Sequence, residues 1–255
     1  MKITITGGFG FIGSHAAILL HKQGHEINII TKSSKVPSHL KSIEKKLNII
    51  VGDYSSDEIL KYALQTDIII HTACTTVPEN STQNPIYDIE TNVIPSIKLI
   101  SEASKKNIKK IIFISSGGVV YGKNENEFIS EKDSTNPISS YGITKLTIEK
   151  YLQLYKHING LEFVSLRISN AYGPFQNYKN NQGVIMNWIN RIANNNSIEI
   201  WGDGSVIRDY IYIDDICRAI ELTISCEISG VYNIGSGNGI SLKELANIIN
   251  EISHS

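Results

Sequence analysis

Short runs rich in isoleucine and valine alternate with longer segments of helical period as far as residue 173 of this chain of 255 residues. Continuously apolar strands separated by helices are typical of a parallel sheet that is covered on both faces. The pattern therefore predicts an α/β protein with a doubly wound parallel sheet. The runs that predict strands lie at 3–6, 27–31, 48–51, 67–71, 110–115 and 163–167. The segments of helical period lie at 12–23, 57–65, 92–106 and 140–158.

The alternation breaks down after residue 173. An asparagine-rich segment, 177–197, predicts a loop around one helix, and a late strand pattern at 230–235 could rejoin the sheet. The last segment of helical period, 241–252, starts at Ser241, which we expect to be its N-cap. We expect a large domain and a small one, with the bounds 1–173 plus a return at 206–236, and 174–205 plus 237–255.

The charge balance excludes some classes of partner. The 24 basic and 25 acidic side chains give a formal net charge of -1, so there is no electrostatic reason to expect nucleic acid or an anionic membrane. No apolar run approaches the roughly 18 residues of a membrane span, and the N-terminus shows no signal region, so we expect a cytoplasmic protein. We expect small apolar fillers and no metal site at the three cysteines, Cys74, Cys217 and Cys226.

A glycine-rich turn, TGGFGFIGSH at residues 6–15, joins the first strand to the first helix. Gly7, Gly10 and Gly13 allow a tight turn, a close approach of backbone amides to a diphosphate, and close packing of the helix on the sheet. The helix N-terminus adds a partial positive charge. The alternative is an ordinary tight turn, but the position after a strand and before a helix favours dinucleotide binding.

The second strand ends without the acid that commonly holds the adenosine ribose of NAD. Thr31, Lys32, Ser33 and Ser34 stand there instead. A cation with hydroxyl groups could hold the ribose phosphate of NADP. Alternatively, Lys32 and Lys35 are solvated and NAD binds without that contact, and the sequence leaves both interpretations open.

Tyr141 and Lys145 lie four residues apart in a segment of helical period, so both project from one face of a helix. A nearby ammonium group is expected to lower the pKa of the tyrosine from about 10 by roughly one to three units. Tyr141 could then remove a hydroxyl proton while hydride leaves the adjoining carbon, which predicts a general base.

Several motifs together resemble the extended branch of the short-chain dehydrogenase/reductase family. The chain is most similar to its NAD-dependent nucleotide-sugar epimerase/dehydratase group, which includes the UDP-glucose 4-epimerases. The resemblance implies a Rossmann domain and covers almost the whole chain. Besides the glycine turn, the motifs are HTAC (71–74), ETN (90–92), SSGGVVYG (115–122), SYGITK (140–145), RISNAYGP (167–174), WGDGSVIRDYIYIDD (201–215) and YNIGSG (232–237).

The resemblance assigns further residues to two binding sites. The expected cofactor-binding residues are Gly7, Gly10, Phe11, Ile12, Gly13, Thr31, Lys32, Asp53, Tyr54, Ala73, Asn92, Tyr141 and Lys145. The expected substrate-binding residues are Asn170, Gln182, Gly183, Val184 and Arg208. A guanidinium group can bond two phosphate oxygens at once, which suits Arg208 to a diphosphate. The alternative for Arg208 is an ion pair with Asp209.

The chain departs from the family at the exit of the fifth strand. Family members usually carry a catalytic serine or threonine where this chain has Gly117. Of the two preceding hydroxyl groups only one can face the site, because side chains alternate along a strand, and we favour Ser116 over Ser115. The dehydratases of the group carry two acids at the positions of Gly118 and Val119, so dehydration is disfavoured.

Family members also continue well beyond the helix that ends near Ile252, so we expect a small, shortened C-terminal substrate domain. The resemblance implies a nucleotide-sugar 4-epimerase that acts on a UDP-hexose in polysaccharide precursor synthesis, by transient hydride transfer to NAD through a 4-keto intermediate. Two alternatives stay open: an NADPH-dependent 4-keto-sugar reductase, and a non-catalytic cofactor sensor. By analogy with the family we also expect a homodimer formed through the helices near 92–106 and 140–158.

Overall fold

The computed structural model describes residues 1–123, 128–177 and 183–253. Within these ranges the chain forms ten strands: β1 (Lys2–Thr6), β2 (Glu26–Thr31), β3 (Asn48–Val51), β4 (Ile68–His71), β5 (Lys110–Ser116), β6 (Phe163–Ile168), β7 (Asn170–Tyr172), β8 (Ile207–Tyr212), β9 (Gly230–Ile234) and β10 (Gly239–Ser241). The same ranges contain ten α-helices: α1 (Phe11–Lys22), α2 (Asp57–Ala63), α3 (Pro78–Ser81), α4 (Pro85–Asp88), α5 (Ile94–Ala103), α6 (Gly117–Val120), α7 (Ser140–Asn159), α8 (Val184–Ala193), α9 (Ile213–Ser225) and α10 (Leu242–Ser253). A π-helical turn, Ile89–Val93, leads directly into α5.

The main sheet has seven parallel strands in the order β3-β2-β1-β4-β5-β6-β9. The chain first moves outward from β1 to β3 and then crosses back to β4, which lies on the other side of β1. This reversal is the switch point at which doubly wound sheets bind ligands, beyond the carboxyl ends of their strands. The predicted doubly wound sheet is confirmed, and the late strand pattern does rejoin the sheet as β9.

Alternate residues of each strand pack against helices on opposite faces of the sheet. On β5, Ile112 and Ile114 belong to the core that includes α1 and α9. Their neighbours Ile111 and Phe113 belong to the core on the other face, with residues of α5 and α7. Strands covered on both faces are mostly apolar, which accounts for the runs of isoleucine in the sequence. None of the helices in the described ranges is long and apolar enough to span a membrane.

A second sheet of three strands, in the order β10-β8-β7, lies beyond the end of β6. Beside it α8 and α10 share a small apolar cluster centred on Trp188 and Ile249. The predicted N-cap at Ser241 is confirmed: its hydroxyl accepts from the Glu244 N–H at 3.1 Å, and Glu244 Oε2 accepts from the Ser241 N–H at 2.8 Å. This reciprocal pair is a capping box, which fixes where α10 begins. The division into two domains stays a prediction, since β9 joins the main sheet but β8 joins the second one.

One residue, Ser169, connects β6 of the main sheet to β7 of the second sheet. Its N–H donates to the carbonyl oxygen of Ile234 at 2.9 Å, and its hydroxyl donates to Asp209 Oδ1 at 3.4 Å. The connection between the two sheets is therefore short and hydrogen-bonded on both sides.

The cysteines differ from one another. Cys217 on α9 is buried, as expected for an apolar filler. Cys74, which follows β4, and Cys226, which follows α9, are exposed. The expectation of a filler is therefore wrong at Cys74 and Cys226, because both lie in loops that leave the packed layers.

A buried ion pair joins α7 to two central strands. The Arg167 guanidinium on β6 donates to Glu149 Oε2 on α7 at 2.7 Å, and both side chains are almost completely buried. The Ser115 hydroxyl on β5 donates to Glu149 Oε1 at 2.5 Å, and Arg167 Nη1 donates to the Tyr121 hydroxyl at 2.8 Å. The buried carboxylate and guanidinium therefore neutralise each other's charge. Their contacts fix the position of α7 along β5 and β6.

We expect Glu149→Gln to lower the free energy of unfolding by about 3 kcal/mol, because Arg167 would keep a desolvated charge without a counterion. Chemical denaturation measures this loss. The matched control is Glu162→Gln, whose carboxylate pairs with Lys156 at 3.0 Å on the surface. That change should cost less than about 1 kcal/mol. Equal losses in the two variants would contradict the structural role of Glu149.

Candidate active site

The glycine-rich turn packs directly against the end of β4. Gly7 has a φ of 72°, in the left-handed region that favours glycine. A Cβ atom on Gly7 would lie 2.7 Å from the Cα atom of Ala73, and one on Gly13 would lie 2.7 Å from the carbonyl oxygen of Gly7. Neither contact leaves room for a side chain. The turn therefore needs glycine at both positions to bring β1, α1 and β4 together.

Helix α1 begins without a side-chain cap, because its N-cap residue is Gly10. The first helical residues are Phe11, Ile12 and Gly13. Amides in the first turn of a helix have no partner within the helix, and the helix dipole adds positive potential there. The start of α1 is thus suited to an anionic group such as a diphosphate.

A cleft of about 220 Å³ opens at the carboxyl ends of β1, β2 and β4. Seven of the expected cofactor-binding residues line it: Gly7, Gly10, Thr31, Lys32, Tyr54, Ala73 and Asn92. The Tyr54 hydroxyl is buried in its wall and has no hydrogen-bond partner among the described residues. Asp53, between the lining residues Gly52 and Tyr54, forms an ion pair with Lys32 at 2.7 Å. The glycine turn and the uncapped start of α1 fit the diphosphate of a dinucleotide.

Asp88, which the sequence did not single out, connects this cleft to α7. Its carboxylate is fully buried and accepts four hydrogen bonds. The donors are Thr76 Oγ1 at 2.6 Å, Asn92 Nδ2 at 2.8 Å, Ser140 Oγ at 2.8 Å and Thr144 Oγ1 at 2.9 Å. Asn92 in turn accepts from the Thr75 N–H at 2.8 Å, so it holds the loop that forms the cleft wall. Asp88 thereby fixes the loop around Thr75 in the cleft wall and the start of α7 relative to each other.

Tyr141 and Lys145 project from the first turns of α7, side by side as their spacing predicts. The Tyr141 N–H donates to Ser81 Oγ at 3.1 Å. Lys145 is buried, and its Nζ donates to the carbonyl oxygen of Ile114 on β5 at 2.9 Å. This Nζ lies 5.4 Å from the centre of the Tyr141 ring. The pair therefore stands at the exit of β5.

Burial raises the pKa of Tyr141 above its ordinary value, and the nearby Cys74 and Asp88 side chains raise it further. The net shift of the Tyr141 pKa is therefore opposite in direction to the lowering that we expected from the sequence. The loss of water around the phenolate outweighs the effect of the ammonium group, which is directed at a backbone carbonyl. A positive charge placed beside Tyr141 would favour the phenolate, and the oxidised nicotinamide of NAD carries such a charge.

The two serines of β5 have different environments. Ser115 is buried and donates to Glu149, so it serves the ion pair described above. Ser116 is partly exposed, is the N-cap of α6, and forms no hydrogen bond through its side chain with any described residue. Only Ser116 has a hydroxyl available to a ligand. Its catalytic role stays a prediction.

A second cavity, of about 260 Å³, lies between the second sheet and the start of α8. Its walls contain four of the five expected substrate-binding residues: Asn170, Gly183, Val184 and Arg208. The fifth, Gln182, lies outside the described residues. Arg208 is exposed and forms no ion pair with Asp209, whose carboxylate instead accepts from Ser236 and Gly237. Arg208 is thus a cation available in the cavity, although its contact with a diphosphate stays a prediction.

Comparison with known proteins identifies the family. The model of the NAD dependent epimerase/dehydratase family matches residues 3–235. The chain belongs to this family. Its members include a UDP-glucose 4-epimerase of Halalkalibacterium halodurans, 32% identical over 274 residues that cover 99% of this chain and 80% of the relative. The family resemblance found in the sequence is thus confirmed.

Two further proteins show the breadth of the epimerase/dehydratase family. The dTDP-4-dehydro-6-deoxyglucose reductase of Escherichia coli is 36% identical over 259 residues, which cover 97% of this chain and 80% of the relative. The crystal structure of Thermotoga maritima UDP-glucose 4-epimerase with UDP-glucose has a TM-score of 0.94 and 32% identity, and covers 100% of this chain and 83% of that chain. This protein is accordingly an NAD-dependent enzyme of the extended short-chain dehydrogenase/reductase type.

Sequence reasoning missed several residues of the site. Cys74 and Thr75 line the cofactor cleft beside Asn92, and the buried Thr76 accepts a hydrogen bond from the Asn92 amide. Cys74 lies within the HTAC motif, although we expected an apolar filler at this position. Asp88 carried no signal of its own, because its four donors come from distant parts of the chain.

We expect Gly7→Ala to weaken NAD binding by more than about tenfold, because the added Cβ would push the turn away from Ala73 and displace the amides of α1. It should also lower the free energy of unfolding by more than about 1 kcal/mol, owing to the positive φ. Calorimetry and chemical denaturation measure the two effects. The control is Gly118→Ala, since a Cβ there would meet nothing closer than Ser116 Oγ at 4.0 Å. Unchanged NAD affinity in Gly7→Ala would contradict the cofactor site.

Proposed function

We propose that this protein is a nucleotide-sugar 4-epimerase that uses NAD and acts on a UDP-hexose. The observation that carries the proposal is the position of Tyr141 and Lys145 at the exit of β5, where Asp88 joins the start of α7 to Asn92 in the wall of the cofactor cleft. The second cavity is lined by β7, which a single residue joins to the carboxyl end of β6, the neighbour of β5. A sugar bound between the two cavities would lie beside a general base.

The chemistry divides between the cofactor and the protein. NAD, held at the glycine turn, would supply an acceptor for a hydride and a donor for its return. Tyr141 is positioned to take the proton of the sugar 4-hydroxyl group during hydride transfer and to give it back when the 4-keto group is reduced from its other face. Lys145, held by the carbonyl oxygen of Ile114, places a positive charge beside the ring, and Arg208 holds the diphosphate while the sugar turns. The reaction consumes no reductant, so the cofactor can stay bound.

The residues at positions 118 and 119 argue against a dehydratase. Water elimination needs an acid and a base beside the sugar, and positions 118 and 119 carry glycine and valine. Gly118 lies on α6 with open space around the position of its missing Cβ. The site could therefore hold an acid at this position but does not contain one.

A second candidate is an NADPH-dependent 4-keto-sugar reductase. Lys32, which lines the cofactor cleft, favours it, and so does the reductase from Escherichia coli among the relatives. The ion pair of Lys32 with Asp53 weakens this candidate, because a phosphate would have to compete for the ammonium group. The buried Lys145 beside Tyr141 argues against a non-catalytic sensor, because binding a cofactor alone does not require a group that transfers protons.

The epimerase should interconvert UDP-glucose and UDP-galactose, or their N-acetyl forms, without added reductant. Tyr141→Phe should lower turnover by about 10² to 10⁴, because the proton loses its acceptor. Coupled assays and nuclear magnetic resonance of the sugars measure both. Tyr62→Phe, on the exposed side of α2, is the control. No interconversion of any of the four sugars by the wild type would contradict the proposal, and oxidation of NADPH by a 4-keto sugar would favour the reductase.

Ser116→Ala should lower kcat by about tenfold if the hydroxyl bonds the reacting sugar oxygen, as one hydrogen bond in the transition state is worth that much. Single-turnover kinetics measure it. A fall of less than about threefold would make Ser116 a turn residue only. Ser115→Ala is the comparison: it should lower the thermal midpoint through its bond to Glu149.

We also infer a homodimer. Ile143, Leu154 and Ile158 on α7 and Ile94 on α5 are each about half exposed. Residues 143, 154 and 158 fall on one side of α7 at helical spacing, so they form an apolar stripe next to α5. A stripe of this kind suits pairing with the same stripe of a second copy.

The expectation that the protein is cytoplasmic stays a prediction.

Ile143→Lys combined with Leu154→Lys should convert the dimer to a monomer, because it would place two charges in the pairing face. Light scattering coupled to size exclusion gives the mass. Leu222→Lys on α9, an equally exposed position away from this stripe, should leave the dimer intact. A wild type that is monomeric at all concentrations would rule out the proposed stripe as an interface.

A further inference from the structure

An ion pair lies where the cofactor cleft meets the ends of β2 and β3. Lys32 follows the last residue of β2, and Asp53 follows β3 by two positions. The two strands are neighbours, with Thr31 directly opposite Val51. This register brings Lys32 Nζ to 2.7 Å from Asp53 Oδ2. The pair therefore results from the strand order itself.

The end of β2 is where Rossmann domains distinguish NAD from NADP. An acid there accepts hydrogen bonds from the ribose hydroxyl groups of NAD, and a cation nearby accommodates the 2′-phosphate of NADP. This chain has Lys32 at the end of β2, which by itself would favour the phosphate. The acid comes instead from the neighbouring strand, as Asp53, and it is already bound to the lysine.

The loop after β2 fixes the backbone around Lys32. Thr31 Oγ1 accepts from the Ser33 N–H at 3.2 Å, and Ser33 Oγ accepts from the Lys35 N–H at 3.1 Å. Asp53 is equally constrained, since its Oδ1 accepts from the Ser55 N–H at 2.9 Å. The backbone on both sides of the ion pair is therefore held by local hydrogen bonds.

Asp53 is ionised at neutral pH. Partial burial raises its pKa, but the hydrogen bonds from Lys32 and from Ser55 outweigh burial and hold the pKa below its ordinary value. A 2′-phosphate next to Lys32 would therefore meet a carboxylate as well as an ammonium group. Repulsion between the Asp53 carboxylate and the phosphate would offset much of the attraction between Lys32 and the phosphate.

We propose that Asp53 is a specificity-determining residue, which through its ion pair with Lys32 makes the cleft prefer NAD to NADP. The inference rests on the proposed dinucleotide-dependent function and adds the reason why a chain with a lysine at the end of β2 takes NAD. A hydroxyl group at the ribose 2′ position fits beside the paired charges, and Asp53 can accept its hydrogen bond.

The test is the affinity of the full-length protein for NAD and for NADP, measured by calorimetry. The wild type should bind NAD at least about tenfold more tightly than NADP. Asp53→Asn should raise the affinity for NADP by about tenfold, since Lys32 would gain a charge-assisted bond to the phosphate. Its effect on NAD should be below about threefold, the loss of one exposed hydrogen bond. Adding Lys32→Gln to Asp53→Asn should abolish the gain.

Two control variants remove the same kinds of charge at neighbouring positions that are not part of the Lys32–Asp53 ion pair. Asp57→Asn removes a nearby carboxylate that pairs with Lys98 at 2.7 Å, and Lys35→Gln removes the other lysine of the loop. Both should leave the ratio of the two affinities unchanged. The gain in Asp53→Asn should also shrink in high salt, because the contact is partly exposed.

Three results would overturn the inference: a wild type that prefers NADP, an unchanged ratio in Asp53→Asn, or an equal gain in Asp57→Asn. A wild type that binds neither dinucleotide would overturn the proposed function together with this inference. If cofactor binding is intact but the ratio does not respond to Asp53, the proposed function stands and only the specificity role fails.

Discussion

The close contact of the glycine turn with the end of β4 is the constraint on which the site depends. Because Gly7 and Gly13 have no side chains, the turn lies against the backbone of Ala73, and the start of α1 lies against the turn. The uncapped helix, the cleft wall and the loop that follows β4 are all placed by this one contact. Moving the turn by the width of a methyl group would separate the amides at the start of α1 from the loop held by Asn92.

Asp88 and Glu149 hold α7 in position at two points. Both are fully buried acids: Asp88, at the end of α4, binds Ser140 and Thr144 at the start of α7, and Glu149 lies further along α7 itself. Asp88 is satisfied by four neutral donors, whereas Glu149 is paired with Arg167. A buried carboxylate is costly unless all of its oxygens have partners, so each acid accepts only a narrow range of helix positions. Tyr141 and Lys145 lie between these two fixed points.

The sequence predicted those features that repeat or that depend on neighbours in the chain. The strands of the main sheet agree with the apolar runs to within one residue, because strands covered on both faces are mostly apolar. Ser241 was identifiable because a capping box is local. The bond network of Asp88, the ion pair of Lys32 with Asp53 and the exposure of Cys74 depend on which strands become neighbours. The direction of the Tyr141 pKa shift depends on burial, which spacing does not reveal.

The connection through Ser169 bears on how the sugar turns over during the reaction. A hinge needs backbone torsions that are free to rotate, and the link between β6 and β7 has one residue, whose N–H and hydroxyl are both engaged. The second sheet, which lines the second cavity, is therefore held close to the end of β6 in the main sheet. Under the proposed function, we expect the sugar to invert by rotating about its own diphosphate bonds, while the two sheets keep their positions.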